Sequence, residues 1–83
     1  MRTLSLVLAS GLLAMSISAT AGEFKNECAW GLANDKHVMT DCKVNVLGTD
    51  GNTYCFSSEK AREAFMKDPM ENTKKAKEVF GRS

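Results

Sequence analysis

Among its 83 residues the chain has one proline, one tryptophan, one tyrosine and one histidine, and its three cysteines are never spaced as C-x-x-C. The missing C-x-x-C removes both the thioredoxin-type redox motif and the usual zinc-finger ligand spacing. A single histidine, His37, rules out a centre built on several imidazoles. There is no glycine-rich phosphate loop and no haem-attachment motif. An excess of one charge is also absent: 11 Lys and Arg stand against 10 Asp and Glu, so neither nucleic acid nor an anionic membrane is an expected partner. The basic run Lys74-Lys75-x-Lys77 is interleaved with Asp68, Glu71 and Glu78 and reads as a solvated helix face. Asp35, Asp41 and Asp50 suit turns better than paired acid and base, and no Ser, His and acid grouping stands out along the chain. An enzyme is not expected.

Long apolar runs are confined to the start. Met1-Arg2 is a short basic leader, residues 4 to 17 (LSLVLASGLLAMSI) are almost wholly apolar, and Ala19-Thr20-Ala21 is an A-x-A cleavage signal. The run is short for the roughly 20 residues of a membrane span, and no cysteine follows it for lipid attachment. The reading is a signal peptide over 1–21, cleaved after Ala21, and one soluble periplasmic domain over 22–83. That domain has 62 residues and contains all three cysteines. With Arg2 gone, ten basic residues balance ten acidic ones. A domain this small has little core and often depends on a disulfide, a metal or a partner.

Within the domain, residues 22 to 27 (GEFKNE) read as a loose leader and 28 to 36 (CAWGLANDK) show no clear period. His37-Val38-Met39-Thr40 fits a short strand. Strict alternation in Cys42-Lys43-Val44-Asn45-Val46-Leu47 predicts a half-buried strand, and Thr53-Tyr54-Cys55-Phe56 predicts its partner across a turn rich in Gly, Asp and Asn. Ser57 or Ser58 caps a first helix with Ala61, Ala64 and Phe65 inward. Asp68-Pro69-x-Glu71 starts a second helix, with Met70, Ala76, Val79 and Phe80 as its apolar residues and Gly81 as its stop. Met66 and Met70 are expected to pack in the core. The fold class is α+β, a β-hairpin packed against two C-terminal helices.

The stretch "YCFSSEKAREAFMKDPMEN" resembles the second half of a YHS domain, a small treble-clef-like module in which an aromatic strand leads into a helix carrying Phe and then Asp-Pro. The matching positions are Gly51, Tyr54, Phe56, Ser58, Phe65, Asp68 and Pro69, and the resemblance covers about residues 42 to 73. It implies heavy-metal handling, with copper(I) or zinc as the ion. The two family cysteine positions hold Ser57 and Ala61 here, with a thiol at Cys55 instead. A metal site in this chain therefore has to be built from Cys28, Cys42 and Cys55, with His37 or Met39 as a fourth donor.

An odd cysteine count in an oxidising compartment leaves three readings open: one disulfide plus one thiol, a three-thiolate metal site, or three reduced structural cysteines. The leading functional expectation is a periplasmic YHS-like protein that binds copper or zinc for metal handling or sensing. The alternative is a disulfide-stapled protein-interaction module without metal, with Trp30, Tyr54 and Phe56 as contacts. The turn decides how the thiols meet. A four-residue loop over 48 to 51 sets Leu47 against Asn52 and Val44 against Cys55, which places Cys42 and Cys55 diagonally on one face. Diagonal neighbours are about 7 to 8 Å apart, suited to a shared metal and too far for an easy disulfide. A five-residue loop through Asn52 instead turns Cys55 away from the face of Tyr54 and Phe56, with Cys42 on that aromatic face. The four-residue loop is the expected one, with Cys28 bonding one of the pair or completing the site.

Overall fold

The computed structural model describes residues 22–83; the expected signal segment, 1–21, lies outside the described residues. A tight turn over Glu23–Asn26 leads to helix α1 (Ala29–Ala33), strands β1 (Val44–Leu47) and β2 (Thr53–Phe56), helix α2 (Glu59–Phe65) and helix α3 (Pro69–Arg82). The architecture is α+β, a two-stranded antiparallel hairpin with helices packed on it. No described helix is long and apolar enough to cross a membrane.

The helix starts follow from local chemistry. Ser58 is the cap of α2, its Oγ accepting from the Ala61 N–H at 3.1 Å, which satisfies one of the donors that a first helical turn leaves open. Asp68 caps α3 in the same way through the Glu71 N–H at 3.4 Å, with Pro69 at the first helical position. Helix α3 runs one residue past Gly81, to Arg82. The junction between the two helices is closed by Asn72, buried, whose Nδ2 donates to the Phe65 carbonyl at 2.9 Å. That carbonyl, at the end of α2, also accepts from the Asp68 N–H at 3.3 Å, so both of its acceptor positions are used.

The hairpin register is Val44 with Phe56, Asn45 with Cys55, Val46 with Tyr54 and Leu47 with Thr53. The loop therefore has five residues, 48 to 52, not the four expected. Its geometry is held by Gly48 N–H to the Asn52 carbonyl at 2.7 Å, Gly51 N–H to the Gly48 carbonyl at 3.0 Å, and Asn52 N–H to Asp50 Oδ1 at 3.0 Å. Gly51, at φ 87°, takes the left-handed position that closes the loop.

Strand β2 is buried on both faces. Tyr54 and Phe56 enter an aromatic core in which Phe56 and Phe65 ring centres are 5.1 Å apart, Tyr54 and Phe65 6.2 Å, Phe24 and Tyr54 5.7 Å, and Phe24 and Phe80 5.3 Å. Its other face carries Cys55, covered by the N-terminal segment: Cys28 pairs with Cys55 in a parallel bridge, and Glu27 pairs with Met39 in an antiparallel one. The expected strand over 37 to 40 is thus reduced to an extended segment with one bridge.

The loose leader expected over 22 to 27 is ordered by tertiary contact. Phe24 is buried between Tyr54 and Phe80. To place it there, Phe24, Lys25 and Asn26 adopt φ of 58°, 53° and 68° in succession. Left-handed backbone costs about 1–2 kcal/mol per residue with a Cβ. Burying a Phe contributes about 1.5–3 kcal/mol, and each aromatic pair about 0.5–1.5 more. The two sums are of similar size, so the aromatic contacts offset the backbone cost, and the Thr40 bonds to the Asn26 carbonyl add to them.

Two apolar residues depart from expectation. Met66 and Met70 are 45% and 85% exposed, because Asp68-Pro69 turns the chain between them and leaves both on the outside of the bend.

Candidate functional site

Three features gather the chemistry of the domain: three cysteines that meet at β2, an apolar groove beside the hairpin tip, and a hydrogen-bonded chain through His37.

Of the cysteines, Cys42 and Cys55 form a disulfide, with their Cα atoms 4.7 Å apart. The observed register is the one in which strict alternation would put Cys42 on the face opposite Cys55. The bond is possible because alternation stops at Val44. Cys42 sits in a bend at φ 62°, fixed by Cys42 N–H to Thr40 Oγ1 at 3.1 Å, Lys43 N–H to Asp41 Oδ1 at 3.0 Å and Asn45 Nδ2 to the Cys42 carbonyl at 2.7 Å. The bend swings Cys42 onto the face of Cys55. This corrects the expectation of a diagonal pair too far apart to bond, and it also shows why Cys55 interrupts an aromatic strand.

Cys28 does not bond either partner. It is a free, buried thiol at the N-cap of α1. Its Sγ accepts from the Gly31 N–H at 3.4 Å and the Ser57 N–H at 3.3 Å, and its S–H points to Ser57 Oγ at 3.6 Å. Gly22 lies over the disulfide: its N–H donates to Asn26 Oδ1 at 2.7 Å, and a Cβ at this position would meet Cys55 Sγ at 2.2 Å and Cys42 Sγ at 3.1 Å. Only a residue without a side chain fits there.

With Cys42 and Cys55 bonded to each other, Cys28 alone keeps a thiol, and the three-thiolate donor set does not exist in this state. Among the described residues no group of three or more His, Cys, Asp or Glu side chains is placed to hold a metal ion. His37 is engaged elsewhere, and Met39 is 70% exposed.

His37 Nδ1 lies 2.7 Å from Glu27 Oε1, and its Nε2 lies 3.0 Å from Ser83 Oγ. This is a Ser, His and acid alignment that the sequence did not suggest, because its members are 10 and 46 residues apart. Its setting is unsuited to a nucleophile. Ser83 Oγ also donates to the Val79 carbonyl at 2.9 Å, and it sits at the C-terminal end of α3, where the helix dipole disfavours developing negative charge. The alignment ties the end of α3 to the Glu27 segment.

The groove is a cavity of about 380 Å³ between the hairpin tip and the α2–α3 bend, floored by Tyr54 and Phe65 and rimmed by Leu47, Met66, Pro69 and Met70. Leu47 is 74% exposed, so three of the five large exposed apolar side chains among the described residues surround it. At its edge the Tyr54 hydroxyl donates to Asp50 Oδ2, and Lys77 Nζ lies 3.6 Å from the same oxygen. The Tyr54 hydrogen bond and the Asn52 N–H hold the Asp50 carboxyl below its usual range. Burial, followed by the bond to Asp50, raises the Tyr54 phenol to about 12.

Of the aromatic contacts expected from sequence, Tyr54 and Phe56 are core residues, buried, with Tyr54 meeting the groove only from below. Trp30 is partly buried and lines a second cavity of about 450 Å³ with Cys28, Asn34, Lys36 and Ser57. Leu47, Met66 and Met70, expected as strand and core residues, form the rim of the groove instead. The visible signal for them was an apolar residue at the end of a strand, followed by two methionines on either side of Asp-Pro. No protein-family model, curated protein or solved structure matches this chain.

Proposed function

We propose that this is a disulfide-stapled interaction module, exported to the periplasm by the 1–21 signal segment, that receives an apolar side chain of a partner protein in the groove between Leu47, Met66 and Met70. The observation that carries this reading is the clustering of exposed apolar surface around a concave site with a rigid aromatic floor. Contiguous exposed apolar surface on a small domain marks an interaction site, and a buried anchor residue in a pocket supplies most of the energy of such contacts. The disulfide and the buried aromatic chain keep the floor in place without the partner. Tyr54 contributes from the floor, Trp30 lies outside the groove, and Phe56 supports it through Phe65.

Photo-crosslinking in cells tests this. A benzoylphenylalanine at position 70 of the full chain gives one discrete protein adduct, and Leu47→Glu, which leaves the circular dichroism spectrum unchanged, abolishes it. No adduct, or one insensitive to Leu47→Glu, overturns the reading.

The YHS-like metal reading is supported by one feature. Cys28 is the backbone bridge partner of Cys55, and Cys55 is bonded to Cys42, so all three cysteines meet at β2. After reduction they form a soft donor set for copper(I) or zinc. Anaerobic titration of phosphine-reduced protein with copper(I) against a competing chelator reads this directly. Loss of binding in Cys55→Ser supports the site, and equal affinity in the two proteins removes it.

A further inference from the structure

The three sulfurs are arranged for more than a staple. Cys28 and Cys55 are paired across a parallel bridge, which sets their Cα atoms at the inter-strand spacing of about 4.8 Å, inside the roughly 4.4–6.8 Å window of disulfides. Cys28 is thus a free thiol on the backbone neighbour of one half of an existing disulfide, with its sulfur turned toward Gly31 and Ser57. The two buried cysteines are Cys28 and Cys55; Cys42 is the partly exposed one. It is also the one held in left-handed backbone, a conformation that persists only where the surroundings enforce it.

We propose that Cys28, Cys55 and Cys42 form an internal thiol–disulfide exchange site that moves the bond inward and releases Cys42 as a surface thiol. Cys28 passes its proton to solvent through the exposed Ser57 hydroxyl to which its S–H points, and its thiolate attacks Cys55 Sγ. The Cys28–Cys55 bond forms, the Cys42–Cys55 bond breaks, and the electron pair leaves on Cys42 Sγ, which takes a proton from solvent. One thiol and one disulfide enter and leave, so the step needs no oxidant or reductant. The two states differ in what they bury. In the observed state Cys28 Sγ holds the Gly31 and Ser57 N–H groups, and exchange gives up those bonds by rotating the sulfur toward Cys55. In the exchanged state the bend at Cys42 is no longer tethered, and its thiol is free for a mixed disulfide or a soft metal ion.

The reaction is read by alkylating the native, oxidised protein with N-ethylmaleimide at mildly alkaline pH, without added thiol, and mapping the products by peptide mass spectrometry. The expected product carries the label on Cys42 and a Cys28–Cys55 bond, at a rate independent of protein concentration. Label on Cys28 alone, no label after prolonged incubation, or a rate proportional to protein concentration overturns the proposal. Cys42→Ser provides a second reading: oxidised by air, it is lighter by two hydrogens than its reduced form and monomeric. Two persistent free thiols in that variant, with the fold intact by circular dichroism, refute the reach of Cys28 to Cys55.

Discussion

Removing the bridge from the Cys42 side, in a background where Cys28 cannot replace it, separates two effects that the structure superimposes at one residue. The parent protein is Cys28→Ser, in which a hydroxyl keeps an acceptor at the α1 N-cap, and the variants add Cys42→Ala or Cys42→Gly. The bonded residues are 13 apart, and the chain-entropy relation gives about 3 kcal/mol for a loop of that length. A domain of 62 residues holds about 3–9 kcal/mol in all, at about 0.05–0.15 kcal/mol per residue, so the loss is between a third and the whole. The second effect is the left-handed backbone at Cys42, φ 62°. Alanine retains its cost of about 1–2 kcal/mol, whereas glycine does not, although it adds about 0.5–1 kcal/mol of chain entropy. The expected order is therefore parent, then Gly, then Ala, with Ala about 3 kcal/mol below the parent. At about 4–8 °C per kcal/mol, that corresponds to a fall in Tm of about 12–24 °C. Urea titration followed by Trp30 fluorescence measures it. An Ala variant within about 1 kcal/mol of the parent, or a Gly variant less stable than Ala, would refute the loop-entropy and bend arguments respectively.

Asp68→Ala should lose about 1 kcal/mol through the α3 cap while Lys75→Ala changes little, and equal urea midpoints would contradict the cap. Gly22→Ala must displace backbone from the two sulfurs, so dithiothreitol should reduce Cys42–Cys55 faster than in the parent; an unchanged rate would show that Gly22 does not shield the bond. The Tyr54 phenol, raised by burial and by its bond to Asp50 to about 12, should titrate near that value by ultraviolet absorbance in the folded protein. Because this pKa is raised on folding, its stabilising contribution is complete below about pH 10 and is lost as pH rises toward 12. A folded-state midpoint near 10 would contradict the burial of the phenol together with its bond to Asp50.

Both C-terminal helices were legible because their signals are local: Ser58 and Asp68 cap through residues three positions on, and Pro69 stops one helix where it starts the next. The hairpin was legible as a pair of strands, but its register was not. One loop residue separates the two alternatives, and hydrogen bonds among Gly48, Asp50, Gly51 and Asn52 choose between them. The disulfide was hidden for the same reason, since alternation was carried through Cys42 although the backbone bends there. Residues 22 to 27 were the least legible. Nothing in GEFKNE announces three left-handed residues; they exist because Phe24 has Tyr54 and Phe80 to pack against.

Phe24 and Phe80 stand 56 positions apart and still touch, which sets an order on assembly. A contact across so long a stretch requires its loop-closure entropy to be spent before the contact gives any return, while the two helix caps and the hairpin turn close over a few residues. The N-terminal segment, synthesised before the rest of the domain, is therefore the last to find its place, once α3 presents Phe80. Until then Gly22 cannot lie over the disulfide, and Cys28 has no bridge to Cys55. The hairpin therefore brings Cys42 and Cys55 together first, and Cys28 reaches Cys55 only when the aromatic contact locks the segment down.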